Sequence, residues 1–317
     1  MKTANGQPLL LAIVGQTSTG KSRLALSLAE TYVGEVINCD STAVYRGFDI
    51  GTDKVPKAER RGVPHHLIDV VEPTEIYSAA RYSNDAAQAV HGVTARQRLP
   101  ILVGGTGLYY RALTRGLFSG PGRDSAIRAR LAQVSRRRGV ERLHRLLARH
   151  DPDSADRIQP MDEKRLIRAL EVYMLTGRTL TDHFSETQSP ISEYAVVAVG
   201  LRLPGDALRD RISNRVDRQF DHGLLDEVVA LLTKGVPLEA GPFGGLVYRQ
   251  VVEHLMGLRD LDETRSLIVR ENQRYARRQL TWFKKEDLHW LDTPGEHPDT
   301  WEAVKRLVDD LAATPGG

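Results

Sequence analysis

Gly15, Gln16, Thr17, Ser18, Thr19, Gly20, Lys21 and Ser22 follow the spacing G-x-x-x-x-G-K-[ST]. Glycines at the two ends let backbone N–H groups curl around phosphate oxygens, and a helix opening at Lys21 turns its positive end toward them. In that arrangement the Lys21 ammonium neutralises the outer phosphate and the Ser22 hydroxyl reaches a magnesium ion. A glycine turn that merely joins a strand to a helix needs none of the other specified residue types, so phosphate binding is the stronger reading. The pattern is shared by nucleotide-binding and ATP-binding proteins, but by itself it specifies only a diphosphate or triphosphate. Hydrolases of this kind usually add an aspartate at a strand end. Residues 100–103 are instead followed by Gly104-Gly105-Thr106, with no carboxylate. The acid at a strand end is Asp40, where the crevice above a parallel sheet would lie. It can accept a proton or hydrogen bond from a nucleophile or hold metal-bound water, and it suits a helix cap or turn equally well.

The elements that must position these groups are readable in outline. Residues 9–14 form a continuous apolar run that predicts a buried parallel strand, and residues 21–32 carry helical periodicity. Further strands are expected at 35–38, 66–70 and 100–103, with helices at 78–98, capped by Ser78, and at 108–113. Strands alternating with helices predict an α/β fold, a P-loop-type, mainly parallel sheet flanked by helices. From about Gly120 the β-forming runs vanish until 194–199, and helices are expected at 125–138, 140–149 and 162–176. The chain is thus expected to divide into a core of residues 1–119 and 195–317 and a helical insertion subdomain of residues 120–194. After Val199 the pattern is mostly helical, with a late strand at 288–291 and a loose Pro/Gly tail.

Composition narrows the function classes. Hydrophobic residues make up 41% and charged residues 27%, ordinary for a globular chain and unlike a disordered one. Cys39 is the only cysteine, which rules out an internal disulfide and any cysteine-built metal site. The apolar run after the polar residues 1–8 is too short to span a membrane and lacks a signal-peptide layout, so a cytosolic protein with no membrane partner is expected, acting as a monomer. A net charge of +3 permits a nucleic-acid partner without demanding one. His65 and His66 are adjacent, and adjacent strand residues point to opposite faces, so they are read as structural.

Beyond the phosphate loop, an ordered set of motifs runs along the chain: DSTAVY at 40–45, GFDIGT at 47–52, VPHHLID at 63–69, YSAA at 77–80, LVGGT at 102–106, RLIRALE at 165–171 and QRYARRQLTW at 273–282. Together these resemble the tRNA dimethylallyltransferases, also called tRNA isopentenyl transferases, from about Leu9 to Leu291. The resemblance implies Mg2+-dependent transfer of a dimethylallyl group from dimethylallyl diphosphate to the N6 amine of the adenosine 3′ of the tRNA anticodon. The phosphate loop would then hold the leaving diphosphate, with no ATP split. It also implies that Asp40, Thr106 and Arg128 are catalytic residues: Asp40 as the acceptor beside that amine, Thr106 near the reacting centre, and Arg128 at the tRNA substrate site. By the same resemblance tRNA contacts are expected from Asp40, Ser41, Thr42 and Ala43, from Lys164, Arg165, Leu166, Ile167 and Arg168, and from Gly245, Tyr248, Arg249 and Gln250. The insertion would clamp the anticodon loop. Met161 stands where the family commonly has Asn, and Val247 where it commonly has Gly.

Two arginine-rich regions can track an RNA backbone. Arg270, Arg274, Arg277 and Arg278 lie at helical spacing, whereas Arg136, Arg137 and Arg138, near Arg142 and Arg145, read slightly better as a solvated helix face. Other readings carry different expectations. A small-molecule kinase shares the loop and the acid but leaves residues 273–282 unexplained. An RNA-binding protein that uses nucleotide only as a switch would bind RNA without Asp40 and make no prenylated product.

Overall fold

β1 (Leu9–Gly15) is buried along its whole length because it lies between two layers. Leu10, Ala12 and Val14 face one core with Tyr82, Val90 and Leu113, while Leu9, Leu11 and Ile13 face another with Leu24, Leu28 and Val304. Side chains alternate across a strand, so burial on both faces produces an unbroken apolar run. A computed structural model describes residues 1–118 and 120–312.

α1 (Lys21–Tyr32), β2 (Gly34–Asn38), β3 (His65–His66), α2 (Ala79–Ala95), β4 (Leu99–Gly104) and α3 (Gly107–Thr114) follow β1. Ser78 caps α2 as expected, its hydroxyl accepting from the Arg81 N–H at 3.1 Å. Later come β5 (Ala195–Leu201) and β6 (His289–Leu291), completing a six-stranded sheet of order β3-β2-β4-β1-β5-β6. Every strand pair is parallel. The register sets Asn38 opposite Val103, Val14 opposite Gly104 and Gly15 opposite Leu201, so β2, β4, β1 and β5 end side by side. The mainly parallel α/β sheet expected from the alternation is therefore present.

The chain forms two compact units, Met1–Thr114 with Pro190–Gly317, and Arg115–Ser189. The second holds α4 (Ser125–Arg138), α5 (Val140–His150), α6 (Pro152–Arg157), α7 (Glu163–Thr176) and α8 (Leu180–Ser185). Leu131, Leu143, Leu147, Leu166 and Leu170 make its own core. Asp124 and Asp162 cap α4 and α7, and Thr179 with Asp182 forms a capping box on α8. The first unit continues with α9 (Gly205–Asp221), α10 (Leu224–Thr233), α11 (Tyr248–Leu255) and α12 (Leu261–Phe283). These share a further core around Phe48, Val216, Phe220, Tyr248 and Ile268, and α12 runs on until Phe283 packs beside the sheet.

Two sequence expectations need correction. The strand expected at 66–70 is only the pair His65–His66, because Leu67 and Asp69 adopt φ of 60° and 57°, which no extended strand allows. The stretch expected as a loose tail contains α13 (Pro298–Ala312), whose Val304 and Val308 are fully buried in the core that includes α1. Residues 313–317 lie outside the described residues. Among the described residues, no helix is long and apolar enough to cross a membrane.

Candidate active site

The loop from Gly15 to Ser22 joins β1 to α1 in a conformation that depends on its glycines. Gly15 has φ 124°, and a Cβ there would sit 2.2 Å from the Leu201 carbonyl oxygen. Gly20 has φ 87° and packs against Gly295 and Glu296. Ser18 is left-handed at φ 61°, and its hydroxyl oxygen is buried with no hydrogen-bond partner among the described residues. The Gln16 side chain is buried and ties the loop down, donating to the Ala276 carbonyl at 3.3 Å and accepting from the Leu203 N–H at 3.1 Å. The Thr17 N–H donates to Gln279 Oε1 at 2.8 Å, and Gln279 Nε2 donates to the Gly105 carbonyl at 2.9 Å. One side chain of α12 thus clips the phosphate loop to the loop after β4.

Lys21 is half-buried and donates to the Gln16 carbonyl. Burial pulls its pKa down to about 8; Asp40 draws it back up, Arg215 pushes it further down, and Asp53 raises it. Two arginines one turn apart on α9 reach the loop. Arg211 Nε donates to the Ser18 carbonyl at 2.7 Å, and Arg215 donates to the Thr17 hydroxyl. Neither was anticipated, for each lies nearly two hundred positions from its partner, 193 and 198 respectively, in a helix with no motif pointing to phosphate.

Asp40 follows β2, and the parallel register brings its loop against the loop after β4. The Cys39 N–H donates to the Val103 carbonyl at 2.7 Å, and the Thr106 N–H donates to the Cys39 carbonyl at 3.1 Å. The Ser41 N–H donates to Thr106 Oγ1 at 3.0 Å. Asp40 Oδ1 accepts from both the Thr42 N–H (2.8 Å) and the Thr42 hydroxyl (2.6 Å). Oδ1 thus serves the turn, whereas among the described residues Oδ2 has no hydrogen-bond partner. The Cys39 thiol is fully buried and pushed up to about 12 by that burial, which leaves it without nucleophilic character at neutral pH. His66 pairs with Glu35 at 2.6 Å and His65 with the Val63 carbonyl, consistent with structural roles.

Residues 47–52 are held by α10 and α11. The N–H groups of Asp49 and Ile50 donate to Glu227 Oε2 at 2.9 and 2.8 Å, and Gly51 N–H donates to the Tyr248 hydroxyl at 3.0 Å. Tyr248 and Gln250 are buried, so of the expected tRNA-contacting set in this region only Gly245 and Arg249 present surface. Val247 is also buried and packs in the same core.

Within the helical unit, Leu166 and Ile167 are core residues, whereas Lys164 and Arg165 are exposed. Arg128 and Arg168 both pair with the fully buried Glu171, at 3.1 and 3.0 Å. Burial raises the Glu171 pKa, but the Asp124 N–H and the two guanidiniums outweigh it and hold the carboxyl below its usual range. Met161 is exposed. Arg136, Arg137 and Arg138 are exposed, as are Arg270, Arg274, Arg277 and Arg278 on α12.

A P-loop-type α/β sheet with an acid after its second strand defines the class of the molecule, and comparison with known proteins defines the family. The IPP transferase family model matches residues 43–286. The tRNA dimethylallyltransferase of Solibacter usitatus is 44% identical over 301 residues, covering 94% of this chain and 97% of its own. That of Thermomicrobium roseum is 44% identical over 308 residues, covering 96% and 93%. The crystal structure of a tRNA isopentenylpyrophosphate transferase from Bacillus halodurans matches with TM-score 0.71 at 37% identity, covering 96% of this chain and 97% of that one. A eukaryotic dimethylallyltransferase acting on tRNA matches with TM-score 0.76 at 26% identity, covering 95% and 78%. This chain belongs to the IPP transferase family, the family of the tRNA dimethylallyltransferases.

Proposed function

We propose that this chain transfers a dimethylallyl group from dimethylallyl diphosphate to the N6 amine of the adenosine 3′ of the tRNA anticodon and releases diphosphate. The observation that carries the reading is one juxtaposition in a chain of this family. At the C-terminal end of the sheet the loop after β4 joins the phosphate loop and the Asp40 loop: Gln279 ties Gly105 to the phosphate loop, Thr106 accepts from Ser41 in the Asp40 loop, and the Asp40 charge acts on Lys21.

The chemistry follows from that layout. The adenine nitrogen attacks C1 of the prenyl chain, and the C1–O bond breaks with its electron pair leaving on the diphosphate oxygen. Lys21, the loop N–H groups, Arg211 and Arg215 stabilise the charge that grows there. The proton displaced from nitrogen passes to Asp40 Oδ2, while Thr42 holds Oδ1 and fixes the carboxylate plane. Ser41 and Thr106 keep that loop in place.

Magnesium fits the donor set. Among the described residues no three His, Cys, Asp or Glu side chains cluster into a protein-built cage. Mg2+ rarely uses one, keeping waters and substrate phosphate oxygens instead. Ser22, exposed at the start of α1, would hold it, and when bound it would neutralise charge on the leaving diphosphate. On the RNA side the target base must leave its stack, at a cost of a few kcal/mol that is smaller in a loop than in a duplex. The helical unit serves as the clamp for that loop, with Lys164 and Arg165 as its exposed cations. Arg128 acts there from its pairing with Glu171.

Incubating the protein with Mg2+, dimethylallyl diphosphate and unmodified tRNA, then digesting the RNA for mass spectrometry, tests the reading. N6-dimethylallyl adenosine is expected. Absence of that product, together with phosphate transfer from ATP to a small molecule, would replace it with the kinase reading.

A further inference from the structure

Arg211 and Arg215 share an arrangement on α9 that the phosphate loop alone does not explain. Each guanidinium touches the loop with one nitrogen and an acid with another. Arg211 holds the Ser18 carbonyl and pairs with Glu296 at 2.6 Å. Arg215 holds the Thr17 hydroxyl and pairs with Asp53 at 3.3 Å. The two acids come from segments far apart in the chain. Asp53 lies in the loop pinned by Glu227, at φ 58°, with its N–H bonded to the Ile50 carbonyl at 3.0 Å. Glu296 lies between β6 and α13 in a turn whose Gly295 N–H donates to the Thr19 carbonyl at 2.8 Å.

Without the acids, Lys21, Arg211 and Arg215 would crowd three like charges around one loop, and Arg215 already acts against the charge on Lys21. A long cation in that position lowers its energy by swinging into water. An acid on the outer side of each guanidinium removes that incentive and fixes its plane, leaving the remaining N–H groups for an anion. Building on the diphosphate-site reading above, we infer that Asp53 and Glu296 are positioning residues that hold Arg215 and Arg211 against the phosphate loop, one acid per arginine. Neither acid is assigned a contact with substrate; both act mainly through the arginines, and Asp53 also favours the charged form of Lys21.

The size of the effect is bounded by exposure. The side chains of Asp53 and Glu296 are 55% and 33% exposed, so solvent weakens each pair. Partly exposed pairs contribute modestly, so Asp53→Ala or Glu296→Ala should raise KM for dimethylallyl diphosphate and Kd for pyrophosphate about threefold each. The double variant should reach about tenfold if the two act independently. kcat at saturation should fall in the same direction by no more than about threefold, thermal stability should stay near the wild-type value, and Asp53→Glu should restore most of the affinity. On an Arg215→Ala background, Asp53→Ala should add less than it does in the wild type, leaving only its action on Lys21.

Pyrophosphate titration of the wild type and of Lys21→Ala separates the positioning role from the diphosphate site on which it rests. If pyrophosphate binds both proteins equally, the diphosphate-site reading is wrong. If it binds the wild type and depends on Lys21, but the acid variants bind equally well or more tightly, the acids compete with phosphate or stand idle and the positioning role is overturned. That role is also overturned if Asp53→Ala weakens binding to the same extent without Arg215.

Discussion

Lys21 is the residue whose chemistry is most exposed to measurement. Its folded pKa of about 8 lies below the ordinary lysine value, so the native state holds fewer protons than the unfolded chain between about 8 and about 10.4. The fold therefore carries the full cost of the buried ammonium below pH 8 and recovers it as pH rises through that window. Diphosphate binding prefers the charged form, so pyrophosphate affinity should fall as pH climbs past about 8, and binding there should take up a proton. Titrations in buffers from about pH 7 to about pH 9.5 check this; Lys21→Ala, in which pyrophosphate's own ionisation persists, should lose the Lys21 component. An identical pH profile in the variant would mean Lys21 does not face the anion. The residues that could be read directly from the sequence were those with a local signature, Gly15 to Ser22 and the acid at Asp40. Gln279 lay in the 273–282 motif without a role attached, and Arg211, Arg215, Asp53 and Glu296 had no signature, because their roles exist only once α9, α12 and the β6–α13 turn fold onto the loop.

At the scale of elements, α12 joins the functional loops to one another. Gln279 is the link, since its amide accepts from the Thr17 N–H and donates to the Gly105 carbonyl inside a buried site. Gln279→Ala strands both backbone groups. Leaving a buried polar group unpaired costs roughly 1–3 kcal/mol; the Gly105 carbonyl is buried and the Thr17 N–H only partly so, and urea unfolding should show a loss of about 2–4 kcal/mol. Activity should fall by more than stability explains, because the phosphate loop and the Thr106 loop would no longer move as one. Unchanged kinetics in a destabilised variant would make Gln279 a packing residue only. The sheet itself was legible because two-sided burial leaves long apolar runs. The short β3 was not, since the left-handed turns at Leu67 and Asp69 carry no glycine to announce them. The helix α13 was hidden by the Pro and Gly residues around it, although Val304 and Val308 stand one helical turn apart.

Over the whole molecule, RNA affinity should reside in exposed cations rather than in every residue of the matching motifs. Leu166, Ile167, Tyr248 and Gln250 sit in those motifs yet have buried side chains, so a direct side-chain contact with RNA is expected from their exposed neighbours instead. Arg277 and Arg278 on α12 are exposed and carry no carboxylate pairing among the described residues, unlike Arg274, which pairs with Glu271. Replacing both by Ala should weaken tRNA binding and reduce the slope of log affinity against log salt by about 1 to 2, with pyrophosphate binding unaffected. An unaltered salt slope would place the RNA backbone elsewhere on the surface.

The central claim is that Asp40 accepts the proton from the attacking adenine amine while the rest of the site binds. Single-turnover transfer by Asp40→Ala, with tRNA and pyrophosphate binding measured on the same preparation, tests it most directly. The expected result is a loss of rate on the order of a hundredfold or more, the usual contribution of a positioned base, with both affinities within severalfold of wild type. Transfer at the wild-type rate in Asp40→Ala would contradict it.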